Sequence, residues 1–266
     1  MQNKKGILVI SSGTSNEDSI KSSIKTIENK IAISFPDYDI KSAFASHKII
    51  NKLKARSGMH ICTPLEAIEN MMKEGFEEVI VQLLYIIPGR EYNRIIESLA
   101  PYKKHFKKLT FGKPVLCDED DYGVALEGLK HQIPELKEHE AVVLMGHGTD
   151  HEAQKYYYNL QRHMENEGAN VFLGTIRGYP QIGDIIKALK KKNINRVILM
   201  PFMITAGYHA IKDMASSKEN SWKSILEGSG FTVDTYLNGL GSNPYYQDIF
   251  VKRVREAIEA GGLSWK

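Results

Sequence analysis

Short apolar runs alternate with amphipathic stretches along the whole chain. Residues 5–11 (KGILVIS), 78–87 (EVIVQLLYII) and 196–204 (RVILMPFMI) are nearly unbroken apolar runs, which suits strands buried on both faces of a parallel sheet. Ile20, Ile24, Ile27 and Ile31 recur at helical spacing. Thr63-Pro64 sets an N-cap residue before a proline at the first helical position. The pattern predicts strands at 5–11, 40–44, 78–87, 109–112 with 115–116, 141–145, 171–176, 196–204 and 231–236. It predicts helices at 17–34, 47–56, 64–73, 90–99, 121–132, 152–166, 179–192, from 210 onward, and from Pro244 to about Ala260. Strands that alternate with helices argue for an α/β fold of parallel sheets joined by right-handed crossovers.

One run matters more than the others for chemistry. Residues 141–145 (AVVLM) lead straight into Gly146-His147-Gly148-Thr149, so the strand is predicted to stop at a glycine turn with His147 at its carboxyl end. Open α/β sheets bind ligands at that end. The arrangement is also repeated within the chain. Residues 6–15 (GILVISSGTS) match 142–150 (VVLMGHGTD), with Ser12 opposite His147. Residues 63–92 match 179–210 as a Pro-started helix, an apolar strand and a Gly loop, with Glu91 opposite His209. The first half carries an insert, assigned to 47–56.

The repeat predicts two similar lobes, each a parallel sheet flanked by helices. Residues 1–130 form the first and 131–266 the second, with an active-site cleft between them. His147, Glu91 and His209 each follow an apolar strand and are expected to converge on that cleft. Two imidazoles and a carboxylate suit a borderline divalent transition metal. Each residue also has a plainer reading. A histidine in a glycine turn is commonly a solvated surface group, and a glutamate opening a helix is favoured by the helix dipole alone. Thr14 and Ser15 could meet an anion at a helix N-terminus, though such residues more often serve as caps.

Composition narrows the class without naming it. The chain has 266 residues, 42% hydrophobic and 25% charged, with a formal net charge of +3. That is an ordinary globular composition, with no bulk electrostatic case for a nucleic-acid partner. The apolar run near the N-terminus is too short to span a membrane and reads as the first strand, so a cytoplasmic protein without a membrane partner is expected. Cys62 and Cys117 form no CxxC. A disulfide framework and a thiolate zinc site are both disfavoured, so any metal would rest on histidine and carboxylate. Oligomeric state stays open, a homo-oligomer included.

Several blocks carry a family resemblance: SSGTS at 11–15, TPLEAIENMMKEGFEEVIVQ at 63–82, IIPGREY at 86–92, MGHGTDH at 145–151, LMPFMITAGYHAIKDMAS at 199–216, SWK at 221–223 and GLGSNP at 239–244. The sequence resembles the anaerobic-type sirohydrochlorin cobaltochelatases, class II tetrapyrrole chelatases of cobalamin synthesis. The resemblance implies a chelatase-like two-lobed fold, Co2+ as substrate metal, sirohydrochlorin or its close precursor as acceptor, and no nucleotide. It places the catalytic histidine at His147 and further metal-site residues at Glu91 and His209. A related group carries its histidines in the first lobe, where this chain has Ser11-Ser12-Gly13. Close relatives handle iron or nickel, so Fe2+ and Ni2+ stay open beside Co2+. A non-catalytic role in binding and delivering tetrapyrrole or metal stays open too.

Metal insertion needs an ion that is held but released, an acceptor for two pyrrole protons, and a grip on the macrocycle. A neutral imidazole, with a reference pKa of about 6.5, can serve as ligand and as base near neutrality. That suits His147 to both roles. Glu91 would add charge and a proton exit, and His209 would complete the ligand set. Tyr85, Phe202 and Met203 are candidate apolar walls. Arg90 and Arg177, at strand-end turns, are candidates to meet substrate carboxylates. Asp213, four residues after His209, either orients that ring or is a solvated helix residue.

Overall fold

The computed structural model describes residues 4–259; the predicted helix end at Ala260 lies outside them. The first sheet is built on β1 (Lys5–Ser11), buried on both faces from Gly6 onward. It pairs in parallel with β2 (Asp39–Phe44) on one side and β3 (Glu78–Leu83) on the other, and β4 (Lys108–Gly112) extends the sheet beyond β3. Parallel pairing requires crossovers. The first is α1 (Glu17–Ser19), a π-helical turn (Ile20–Ile24) and α2 (Lys25–Ser34). Asn16 caps it by accepting from the Asp18 and Ser19 N–H groups. The π-turn interrupts the single helix expected over 17–34, because Lys25 N–H reaches back to Ile20 O. Ile20, Ile24, Ile27 and Ile31 nevertheless all stay buried.

The remaining helices here are α3 (His47–Ser57), α4 (Pro64–Lys73) and α5 (Arg90–Leu99). The apolar run at 78–87 outlasts its strand. Leu84 N–H bonds Ile10 O, and Tyr85 and Ile86 carbonyls accept from Val115 and Leu116 N–H. Residues 115–116 therefore line that loop instead of extending β4.

The second sheet repeats the order of the first. β5 (Glu140–Gly148) lies between β6 (Val171–Arg177) and β7 (Arg196–Phe202), and β8 (Thr232–Thr235) flanks β7. Both sheets run second–first–third–fourth strand, all parallel, as the internal repeat requires. The helices are α6 (Asp120–Lys130), α7 (Gln154–Asn166), α8 (Ile182–Lys191), α9 (Trp222–Gly228) and, last, α10 (Pro244–Glu259). α8 starts two residues after Pro180, where Asp184 accepts the Gln181 N–H at 3.1 Å. The helix expected from 210 is a π-helical turn, His209–Met214, and α9 follows as a separate helix capped by Ser221. α3 has no counterpart between β6 and α8, which fits the insert read from the sequence.

The described chain divides into two units, 4–117 with 244–259, and 118–243. The sequence suggests a single division near residue 130; the packing of two helices sets it differently. α6 joins the second unit, where Tyr122 stacks on His163 of α7 at 4.8 Å and Asn159 Nδ2 donates to the Tyr122 hydroxyl. α10 returns to the first unit, packing on α2, β3 and β4. Its Arg253 is 3% exposed and donates to Pro114 O at 3.0 Å and Val115 O at 3.1 Å. Burying a guanidinium is tolerable only with such partners. Among the described residues no helix is long and apolar enough to cross a membrane.

Candidate metal centre

In a sheet ordered second–first–third–fourth, chain direction diverges between the first and third strands. The crevice opens there, at the carboxyl ends. In the second unit this point lies between β5 and β7. His147 is the penultimate residue of β5, and His209 opens the π-helical turn that follows β7. The strand does not stop at Gly146 as the glycine suggests: Gly146 pairs with Thr175 and Gly148 with Arg177. Glycine still offers a donor and an acceptor to the ladder, and here it marks close backbone approach. Gly148 has φ +69, and a Cβ on it would lie 1.8 Å from Arg177 O. His147 is thereby held at the strand tip with its side chain exposed.

The two imidazoles face each other, with ring centroids 5.1 Å apart and planes at 78°. His147 Nδ1 lies 3.0 Å from Gly148 O. A carbonyl only accepts, so Nδ1 carries the hydrogen and a neutral ring presents its lone pair at Nε2. His209 Nδ1 lies 2.5 Å from Asp213 Oδ2, which fixes the same tautomer by a stronger, charge-assisted bond. An imidazole whose Nδ1–H is tied to an oxygen is the usual form of a metal-ligating histidine. Asp213 therefore orients His209. Tyr208 stands edge-on to the His209 ring at 5.8 Å and is 63% exposed. Its one signal in the sequence is a large aromatic residue beside a candidate ligand.

The other candidates fall as follows. Arg177 ends β6 with its side chain exposed. Met203 is partly buried against the second core. Phe202 is 0% exposed and edge-on to Tyr157, so it supports the strand and offers no ring face in this conformation. In the first unit, Arg90 and Glu91 open α5, both exposed. The Tyr85 hydroxyl is buried without a well-formed hydrogen bond. Burial, and then the nearby Glu91 carboxylate, push this phenol above its usual range. The Tyr85 ring packs edge-on against Tyr92, whose hydroxyl donates to Gly112 O at 2.8 Å. Within the second unit His147 and His209 are brought together. Among the described residues no group of three His, Cys, Asp or Glu side chains is assembled to hold a metal ion.

Comparison with known proteins bears on this arrangement. The profile of a family described as cobalt chelatase (CbiK) matches residues 5–259. The sirohydrochlorin cobaltochelatase of Salmonella typhimurium is 38% identical over 255 residues, covering 96% of this chain and 97% of that protein. Sirohydrochlorin cobaltochelatase CbiKC of Nitratidesulfovibrio vulgaris is 31% identical over 260 residues, covering 97% and 92%. Among solved structures, SirB from Bacillus subtilis with Fe3+ aligns with a TM-score of 0.65 at 16% identity, with 96% of each chain covered. That likeness speaks for the fold alone.

Proposed function

This chain belongs to the cobalt chelatase (CbiK) family, and from that premise we propose that it inserts Co2+ into sirohydrochlorin or its close precursor without a nucleotide. One observation carries the assignment of the chemistry: two histidine rings 5.1 Å apart, each with Nδ1 committed to an oxygen acceptor. His147 and His209 would meet the ion through Nε2. Two neutral donors suit an ion that must be handed on, because they leave coordination positions for the macrocycle nitrogens. Insertion releases two pyrrole protons as the ion enters. One lone pair cannot hold the ion and a proton together, so the roles of His147 follow in sequence. Its Nε2 would bind Co2+, yield it to the macrocycle and then accept one pyrrole proton, the second passing to Glu91. Glu91, exposed at the start of α5, is proposed as a further ligand and the exit for protons. Arg90 and Arg177 would meet substrate carboxylates, and Tyr85 and Met203 would line the ring's face.

The test is multiple-turnover absorbance of sirohydrochlorin with Co2+, Fe2+ or Ni2+ supplied separately and no nucleotide added. Turnover beyond one equivalent, fastest with Co2+, is expected. Binding with no conversion beyond one equivalent would make the protein a carrier. Faster insertion of Fe2+ or Ni2+ would reassign the metal.

A further inference from the structure

The His147 tautomer depends on where the Gly148 carbonyl points, so whatever holds residues 148–149 controls that ring. The side chain of Gln154, in the first turn of α7, grips this segment from the side. Its Oε1 accepts from Thr149 N–H at 2.8 Å. Its Nε2 donates to Tyr179 O at 2.6 Å and to Thr175 Oγ1 at 3.2 Å. A single amide thus ties the tip of β5 to the loop that follows β6. The loop itself is folded back, with Thr175 N–H bonded to Pro180 O at 2.8 Å. The space is closed on the far side: a Cβ at Gly178 would lie 2.7 Å from both Gln154 Cδ and Thr149 O. Three residues further along the same helix face, Tyr157 is buried; burial pushes its phenol above the usual range, and the backbone of Gly148 partly offsets that push.

We propose that Gln154 is a positioning residue for His147, its amide clamping residues 148–149 against the loop after β6 so that Gly148 O holds the His147 Nδ1–H. This rests on the reading of His147 as ligand and base. Gln154 touches neither ion nor macrocycle in this role; it acts through the backbone. In the sequence a glutamine at the start of a helix reads as an ordinary solvated residue.

The test compares Gln154→Met, which keeps length and loses every hydrogen bond, with Gln154→Glu, which keeps the acceptor for Thr149 N–H. His147→Ala is run in parallel. Removing an outer partner of a metal-site histidine costs about 10- to 100-fold. We expect Q154M to lower kcat for Co2+ insertion by about that factor with KM for sirohydrochlorin unchanged, and Q154E to fall between Q154M and wild type. Nitrogen-resolved NMR of the imidazoles should show the His147 Nδ1–H tautomer in wild type and its loss in Q154M. Wild-type kcat and an unchanged His147 signal in Q154M overturn the proposal. So does loss of folded circular dichroism in both variants, which would make Gln154 a support of the fold. If H147A itself inserts cobalt at the wild-type rate, the reading of His147 fails, and that outcome is separate from any result at Gln154.

Discussion

The first strand of the first unit ends at Ser11 and runs on into Ser12-Gly13; the first strand of the second ends Gly146-His147-Gly148. The backbone device is the same in both. Gly13 has φ +84 and Gly148 has φ +69, and a Cβ on either would strike the end of the neighbouring second strand, at Phe44 or at Arg177 O. Each turn lifts the preceding side chain, Ser12 or His147, into exposure. The two sheets share one strand order. They differ in what stands at the lifted position and what supports it. In the second unit His147 faces His209, which Asp213 orients, and Gln154 pins the turn. In the first, the matching positions carry a serine and Glu91, with the buried Tyr85 phenol near that carboxylate. The shared strand order gives each unit a place for a ligand at the strand ends, and the side chains set there differ.

That contrast can be broken at several points. His209→Ala, which removes a proposed ligand outright, should lower kcat by more than the roughly 10- to 100-fold that losing an outer partner costs. The double variant with His147→Ala should be little worse than either single variant, because residues acting as a unit are not additive. Additive losses in steady-state kinetics would show two independent roles. Arg253→Ala tests the return of α10 to the first unit. Two buried carbonyls at 114 and 115 would lose their donors, at about 1–3 kcal/mol each, so urea unfolding should show a loss of roughly 2–6 kcal/mol. Hydrogen exchange should rise at 115–116 and along β4 while β5–β7 keep their protection; uniform loss would contradict the division into units. Asp213→Asn should weaken Co2+ binding by about 10- to 100-fold while leaving thermal stability near wild type; unchanged affinity by calorimetry would leave Asp213 a solvated residue.

The smallest effect concerns α4. Thr63 Oγ1 accepts the Glu66 N–H at 3.3 Å, and Glu66 accepts the Thr63 N–H at 2.8 Å, a reciprocal cap. Thr63→Ala should cost about 1 kcal/mol, measured by denaturant midpoint. The Thr63 backbone bond holds the Glu66 carboxyl below its ordinary range. A carboxyl lowered in the folded state adds stability above its unfolded pKa, about 4.3, and loses it as pH falls through the lowered value. Glu66→Gln should therefore approach wild type in stability at low pH and fall below it above that range. A constant gap across the titration would exclude the linkage.

Much of the fold was legible because burial follows period. Ile20, Ile24, Ile27 and Ile31 are all buried, and α4 and α5 start and stop where Pro64, Lys73, Arg90 and Leu99 suggest. Strand ends were less legible. The apolar run through Ile87 continues into a loop paired with 115–116, and hydrophobicity alone does not separate a strand from a buried loop. Gly146 looked like a stop and is a rung of the ladder. The allegiance of α10 depends on packing far along the chain, through Arg253. Within the candidate site, His147 and His209 stood out through the repeat, and Asp213 through helical spacing. Gln154 and Tyr157 did not, because each acts on the backbone of residues that are remote in the pattern.

The central claim is that the lifted histidine of the second unit, and not the lifted serine of the first, carries the chemistry. Multiple-turnover Co2+ insertion into sirohydrochlorin, measured side by side for wild type, Ser12→Ala and His147→Ala, tests it most directly. Ser12→Ala is expected to turn over within about twofold of wild type, as a surface change away from special features should, while His147→Ala stays folded and loses about 10²-fold or more. Wild-type turnover by His147→Ala, or loss of turnover in a folded Ser12→Ala, would contradict it.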